Sequence, residues 1–333
     1  MPLTKLVHRD TISLTLLFRG ILSMANEKIK VLIDTDLGDD VDDALTLLLA
    51  VASKEIELVG VTTVLRDTIL RAKNVKKLLS DVGVDVPVYA GKENPTTHEV
   101  RAKDILLKMS GAENFNADNE NDFRGGDSAL EYIYETANRV DDLHILAIGP
   151  LTNIAETILK YPDLKNKISK IVLMGGDYFN GRHEWNILSD TLATKTVFES
   201  GIPVYAVGTD VTRQVKLNNA RQSVFLCEKE KAFSSWRKEL KQMIMTWIEK
   251  RGADVTLHDP LALYALIKPE VLHFKKQRIF VSTEENVLKG LTVNLSATGY
   301  FKNSAYGSEI YVADYVSAEE MMEDFMYRLS TLS

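Results

Sequence analysis

Short apolar runs rich in β-branched residues recur along the chain and alternate with segments whose apolar positions fall at helical spacing. Ile29-Lys30-Val31-Leu32-Ile33 is the first such run, and Ala44 to Val51, apolar and free of Gly and Pro, reads as the helix after it. Ile56 to Val64 is a second strand, followed by a helix from Thr68 to Asp81. Val86 to Gly91 is a short third strand. Residues 92–127 are polar and rich in Asn, Asp and Gly, a long loop with at most a short helix near 100–110. Ser128 to Asn138 is helical, His144 to Gly149 is the next strand and Thr152 to Leu159 the next helix. Lys170 to Gly176 and Pro203 to Gly208 are further strands, with a helix from Thr191 to Ser200 between them.

Most of these strands are continuously apolar rather than alternating, the pattern of strands covered on both faces. The expectation is one α/β domain with a Rossmann-like core, its mostly parallel central sheet carrying helices on both faces. Residues 217–257 depart from the pattern: Phe233 to Lys250 is a longer, charged, amphipathic helix containing Trp236 and Trp247. From Phe274 the chain turns to strands at Arg278 to Ser282, Gly290 to Leu295 and Glu309 to Val312, then a terminal helix from Ala318 to Leu329. No Pro/Gly/Ser-rich linker sets this part apart, so it reads as extra C-terminal strands on the same sheet.

Residues 1–23 read as an N-terminal extension outside a domain that spans 24–333. Thr11 to Phe18 is apolar and follows Lys5 and Arg9, but the run is short, Arg19 interrupts it and no small-residue cleavage site follows. The rest of the composition is that of a soluble globular protein, with 45% hydrophobic and 26% charged residues among 333. A formal net charge of -7 argues against a nucleic-acid or anionic-membrane surface, and no run approaches a spanning helix. Cys227, the single cysteine, cannot form an internal disulfide, which fits a reducing cytoplasm and an incidental buried thiol.

The first strand runs into Asp34-Thr35-Asp36-Leu37-Gly38-Asp39-Asp40-Val41-Asp42-Asp43. So many carboxylates cannot all stay ionised side by side without solvent or a compensating charge. Either the loop is fully solvated or a hard divalent cation such as Ca²⁺ or Mg²⁺ sits in it, and the density of carboxylates favours the cation. An EF-hand is excluded, because its sixth and twelfth positions would be Asp39 and Leu45. Other polar segments also fall at the carboxyl ends of strands, where such folds bind ligands: Asp67, Gly149-Pro150-Leu151-Thr152-Asn153 and Gly175-Gly176-Asp177.

Six separated segments together resemble the inosine/uridine-preferring nucleoside hydrolases over roughly residues 28–330. They are Asp34-Thr35-Asp36-Leu37-Gly38 with Asp42-Asp43-Ala44, Val61-Thr62-Thr63-Val64, Gly149-Pro150-Leu151-Thr152-Asn153, Leu173-Met174-Gly175-Gly176, Glu184-Trp185-Asn186-Ile187, and His258-Asp259-Pro260. The resemblance implies Ca²⁺-dependent cleavage of the N-glycosidic bond of ribonucleosides, giving ribose and a free base through an oxocarbenium-like transition state. It implies metal ligation by Asp36, Asp43, Asp259 and the backbone carbonyl of Thr152, with Asp34 a candidate general base and Asp42 facing ribose and water. Glu184 and Asn186, two apart on an extended segment, would bind sugar hydroxyls together with Asp67, Met174 and Asn180. His258 would protonate the leaving base, and Trp247 is a candidate for stacking on it. The resemblance further implies a cytoplasmic homo-oligomer, dimer or tetramer, acting on small-molecule nucleosides.

The sequence departs from the family pattern where Arg66-Asp67 replaces the usual Gly-Asn, where Tyr178 stands at a usual asparagine, and where Asp39-Asp40 lengthen the first loop. Two other readings stay open. One is a nucleoside- or ribose-binding protein of the same fold without turnover. The other is a metal-dependent phosphatase, which also starts from Asp-x-Asp after a strand but leaves Gly-Pro-Leu-Thr-Asn and His-Asp-Pro unexplained.

Overall fold

A computed structural model describes residues 27–38, 40–96, 109, 126–218, 235–252, 254–299 and 305–332. The N-terminal extension, the expected short helix near 100–110, Asp39 and Cys227 lie outside these residues. The strands are β1 Ile29–Thr35, β2 Ile56–Thr63, β3 Val88–Ala90, β4 Leu143–Ala147, β5 Ile168–Met174 and β6 Val204–Val207. They continue with β7 Lys216–Leu217, β8 Val255–Thr256, β9 Leu272–Val281, β10 Thr292–Asn294 and β11 Ser308–Val316.

Nine of them form one sheet in the order β10-β9-β11-β6-β5-β4-β1-β2-β3. From β3 to β11 every pairing is parallel, and β9 runs antiparallel between β10 and β11. The C-terminal strands therefore extend the same sheet. Chain order reverses between β1 and β4, the switch point beyond whose carboxyl ends an open α/β sheet binds ligands.

Alternate residues of the central strands feed two cores, one on each face. Val31 and Ile33 of β1 and Val172 of β5 face one core, while Leu32, Ile171 and Leu173 face the other. The first core holds the helix Asp42–Ala52, which is buried on every side from Asp42 to Ala50. Leu45, Leu47, Leu48 and Leu49 are each fully buried there, worth roughly 1.5–3 kcal/mol apiece. That helix packs on a second all-apolar one, His258–Ile267, so that two helix N-termini meet at the carboxyl edge of the sheet.

Two expectations change. β9 begins at Leu272 rather than Arg278, because it pairs with β11 from Leu272 on, while the exposed Lys275 and Lys276 make its first half read as polar. The segment around Glu184 is not extended: Trp185–Ser189 is a short helix with Glu184 as its N-cap, a position whose carboxylate satisfies free N–H groups.

Candidate active site

The acidic loop is shaped from beneath. β1 ends at Thr35, and Gly38 at φ 118° takes a turn that a side chain would resist. The Thr35 hydroxyl donates to the Asp43 carboxylate and accepts from the Leu37 N–H at 3.1 Å. Arg71, fully buried on the helix Thr68–Asp81, donates from Nε to the Leu65 carbonyl at 2.7 Å and from Nη1 to the carbonyls of Leu37, at 2.9 Å, and Asp36. A guanidinium thus clamps the backbone that presents the carboxylates. On the β4 side Gly149 passes so close that a Cβ would lie 3.0 Å from the Asp36 N and 3.2 Å from its Oδ1. This is why the Gly-Pro turn begins with glycine.

Asp42 and Asp43 occupy the first turn of one helix and Asp259 the first turn of the other. Each offers an oxygen, and the three oxygens lie within 4.8 Å of one another. The Asp259 N–H donates to Asp42 Oδ2 at 3.1 Å, tying the two helix ends together. Both N-termini favour negative charge. Even so, at such separations each carboxylate pair repels by roughly 3 kcal/mol in a protein-like dielectric. Burial first, then repulsion from neighbouring carboxylates, Asp40 above all for Asp42 and Asp42 with Asp43 for Asp259, holds both carboxyls well above the usual range. Burial also pushes Asp40 up to about 7, with Asp43 adding to it. Buried, crowded, oxygen-only donors of this kind suit a hard divalent metal ion, which would remove the repulsion.

These carboxylates form the floor of a cleft of about 410 Å³, which Asp36 and Asp40 also line. One wall carries Glu184 and Asn186. Glu184 accepts from the backbone N–H groups of Gly176, Asn186 and Ile187, while burial raises its pKa. Asn186 commits its amide hydrogens to the carbonyls of Ile148 and Met174, both at 3.1 Å, so Oδ1 is what its side chain can offer as an acceptor. Ile148 and Met174 line the cleft too.

At the opposite end, β7 and β8 pair and the Leu257 N–H bonds the Val215 carbonyl, closing the excursion that carries the helix Ser235–Arg251. The closure sets His258 beside Thr212, whose hydroxyl lies 2.7 Å from Nδ1. Burial, reinforced by the positive charge of Arg213, pushes His258 down to about 4, so its imidazole is neutral. Arg213, Thr209, Trp247 and Arg251 line the cleft as well, as do His183 and Trp185 on either side of Glu184. The Arg251 guanidinium sits 5.3 Å from the centroid of the Trp247 ring.

Of the residues expected in the site, Asp36, Asp42, Asp43, Met174, Glu184, Asn186, His258 and Asp259 converge on the cleft. Asp34, Asp67, Thr152 and Asn180 are not among its lining residues. Asp34 lies inside the sheet between β2 and β4, and its Oδ1 accepts from Thr62 and Asn153 while burial lifts its pKa to about 7. Asp67 is exposed and caps the helix Thr68–Asp81 through the Leu70 N–H. The Thr152 hydroxyl donates to the buried Asp190, and the residue of that turn that reaches the cleft is Ile148. Asn180 is exposed and donates to Asp210 at 2.7 Å. Sequence reasoning missed Arg71, Ile148, Thr212 and Arg213. Arg71 alone left a signal, since it shares one helical stripe with Val75 and Leu78.

An α/β sheet with a buried acidic centre at its switch point, and a polar wall and an imidazole lining the same cleft, defines a site for small polar molecules. Comparison makes the class specific. The family model for inosine-uridine preferring nucleoside hydrolases matches residues 31–323, and the chain belongs to that family, whose members split ribonucleosides into ribose and free base. It is 31% identical over 283 residues to a probable uridine nucleosidase 1 of Oryza sativa subsp. japonica, covering 78% of this chain and 84% of that protein. It is also 31% identical over 274 residues to the pyrimidine-specific ribonucleoside hydrolase RihA of Salmonella typhimurium, covering 79% and 87%. Among solved structures, a purine-preferring ribonucleoside hydrolase from Gardnerella vaginalis superimposes with a TM-score of 0.71 at 26% identity, covering 91% of this chain and 98% of that one. No helix among the described residues is long and apolar enough to cross a membrane.

Proposed function

We propose that this chain hydrolyses ribonucleosides, uridine among them, with a calcium ion held by Asp42, Asp43 and Asp259. The observation that carries this is the convergence of those three buried carboxylates within 4.8 Å at the sheet's switch point. Uridine is supported by the similarity to a probable uridine nucleosidase of rice and a pyrimidine-specific ribonucleoside hydrolase of Salmonella. When bound, the ion would supply an acidified, oriented water and a hold on the ribose diol.

The chain's own groups do the rest. Asp36 lines the same cleft outside the three-oxygen group and takes the water's proton. Glu184, fixed by backbone N–H groups, and Asn186 Oδ1 receive ribose hydroxyls, which are donors. The carbonyl of Ile148, a residue that lines the cleft and accepts from Asn186, offers a backbone oxygen beside the sugar. His258, neutral and oriented by Thr212, faces the leaving base as a hydrogen-bond partner. The active form is a homo-oligomer, checked by light scattering.

The test is release of reducing sugar from uridine, inosine and other ribonucleosides, with calcium and with a chelator. Release that requires calcium supports the proposal. No release from any nucleoside, with binding retained, selects the reading of a binding protein without turnover.

A further inference from the structure

The cleft is chemically two-ended. Its floor and one wall offer acceptors: Asp36, Asp42, Asp43, Asp259 and Glu184. The lining residues Thr209, Arg213, Trp247, Arg251 and His258 offer donors instead. The Trp247 indole N–H is buried and meets no hydrogen-bond acceptor among the described residues. Arg213 follows the helix Thr209–Thr212, is exposed, lines the cleft and forms no side-chain hydrogen bond or ion pair among the described residues. Arginine so close to this many carboxylates would ordinarily pair with one; this one is held apart, beside His258. Ribose, which presents hydroxyl donors, matches the acceptor end. The base then lies at the donor end.

From this juxtaposition we infer that Arg213 is a catalytic residue that takes up the negative charge of the departing base, with the Trp247 N–H as a second donor to that base. The inference rests on the proposed hydrolysis. As the C1′–N bond breaks, its electron pair stays on the base nitrogen and spreads to a ring carbonyl oxygen. A guanidinium, charged at any working pH and rich in donors, hydrogen-bonds that oxygen. Water oxygen bonds C1′, its proton passes to Asp36, and the base anion finally takes a proton from solvent, so nucleoside and water give ribose and neutral base. Groups placed where charge develops typically contribute about 10²–10³ in rate.

The experiment compares uridine, whose base is a poor leaving group, with p-nitrophenyl riboside, whose phenolate leaves unaided. Arg213→Gln should lower kcat for uridine by roughly 100-fold with a change in KM of no more than about 3-fold, and reduce p-nitrophenyl riboside cleavage by less than about 5-fold. Trp247→Phe, which keeps the ring and removes the N–H, should lower kcat/KM for uridine by roughly 10-fold, about one hydrogen bond. Equal losses on both substrates would overturn the inference, as would no loss on uridine. If the wild-type protein cleaves neither substrate, the hydrolase reading fails first, and the inference falls with it.

Discussion

Replacing Arg71 by Leu removes a cation from under the carboxylate loop and strands the carbonyls of Asp36, Leu37 and Leu65 in a fully buried place. Each stranded acceptor costs about 1–3 kcal/mol, and partial rehydration as the loop shifts brings the total near the ~3–5 kcal/mol seen when a buried charge loses its partners. Unfolding entropy of roughly 2.1 cal/mol/K per residue gives about 0.7 kcal/mol/K for a chain of 333 residues, so Tm should fall by about 4–7 °C. Calorimetry in chelator isolates this from metal binding. The same loop presents Asp36 and leads to Asp42 and Asp43, so calcium affinity should fall by about 10–100-fold, as it does when groups that orient ligands are removed. Arg71→Lys, with one ammonium for three carbonyls spread over two loops, should fall between the two. A Tm within 1 °C of wild type together with unchanged calcium affinity would refute the clamp.

Asp43→Asn should lower calcium affinity by about 100-fold and raise Tm in chelator, because it relieves repulsion with Asp42 and Asp259; unchanged affinity by calorimetric titration would remove Asp43 from the ligand set. Thr212→Val should reduce kcat about 10-fold with little change in KM, since His258 loses the hydroxyl at Nδ1; an unchanged kcat would show that packing alone orients the ring. Asp190→Ala removes the N-cap of the helix Thr191–Glu199 and the acceptor for Thr96 and Thr152, for a loss of about 2–4 kcal/mol in urea unfolding; less than 1 kcal/mol would mean water replaces it. Asp34 and Asp40 have folded pKa values raised to about 7 from 3.8, so their protonated forms favour folding below about pH 4 and that stability is lost as pH rises through 7. Protein in chelator should therefore melt higher at pH 6 than at pH 8, and a flat or reversed profile would contradict the assigned burial.

What the sequence made legible were side chains whose chemistry is announced by their neighbours. Asp42-Asp43 and His258-Asp259-Pro260 each start a helix so apolar that only their first turns can be functional, and the fold needed only to bring those two turns together. Asp34 and Asp36 look equivalent in the sequence, two apart after an apolar run. They part because β1 continues to Thr35: Asp34 is walled by Thr62 and Ala147 on neighbouring strands, and Asp36 lies past the last pair. Strand length to within one residue decided which aspartate lines the cleft, and boundaries are where pattern reading is weakest. Ile148 meets Asn186 through its carbonyl, so its side chain carries no sign of that contact.

The base end was illegible for a different reason. Thr212 and Arg213 stand 46 and 45 positions before His258, and only the pairing of β7 with β8 makes them neighbours. The departure at Arg66-Asp67 shows the converse. An acidic residue at a strand's carboxyl end invites a sugar-binding role, yet Leu65 and Arg66 both adopt positive φ and turn Asp67 back onto its own helix as a cap. The contact that a carboxylate at this place would have made to ribose is left to Glu184 and Asn186. Under the proposed function these two side chains share sugar recognition with the bound ion, so variants there should raise KM for every nucleoside alike, whereas changes at Arg213 should sort substrates by their base.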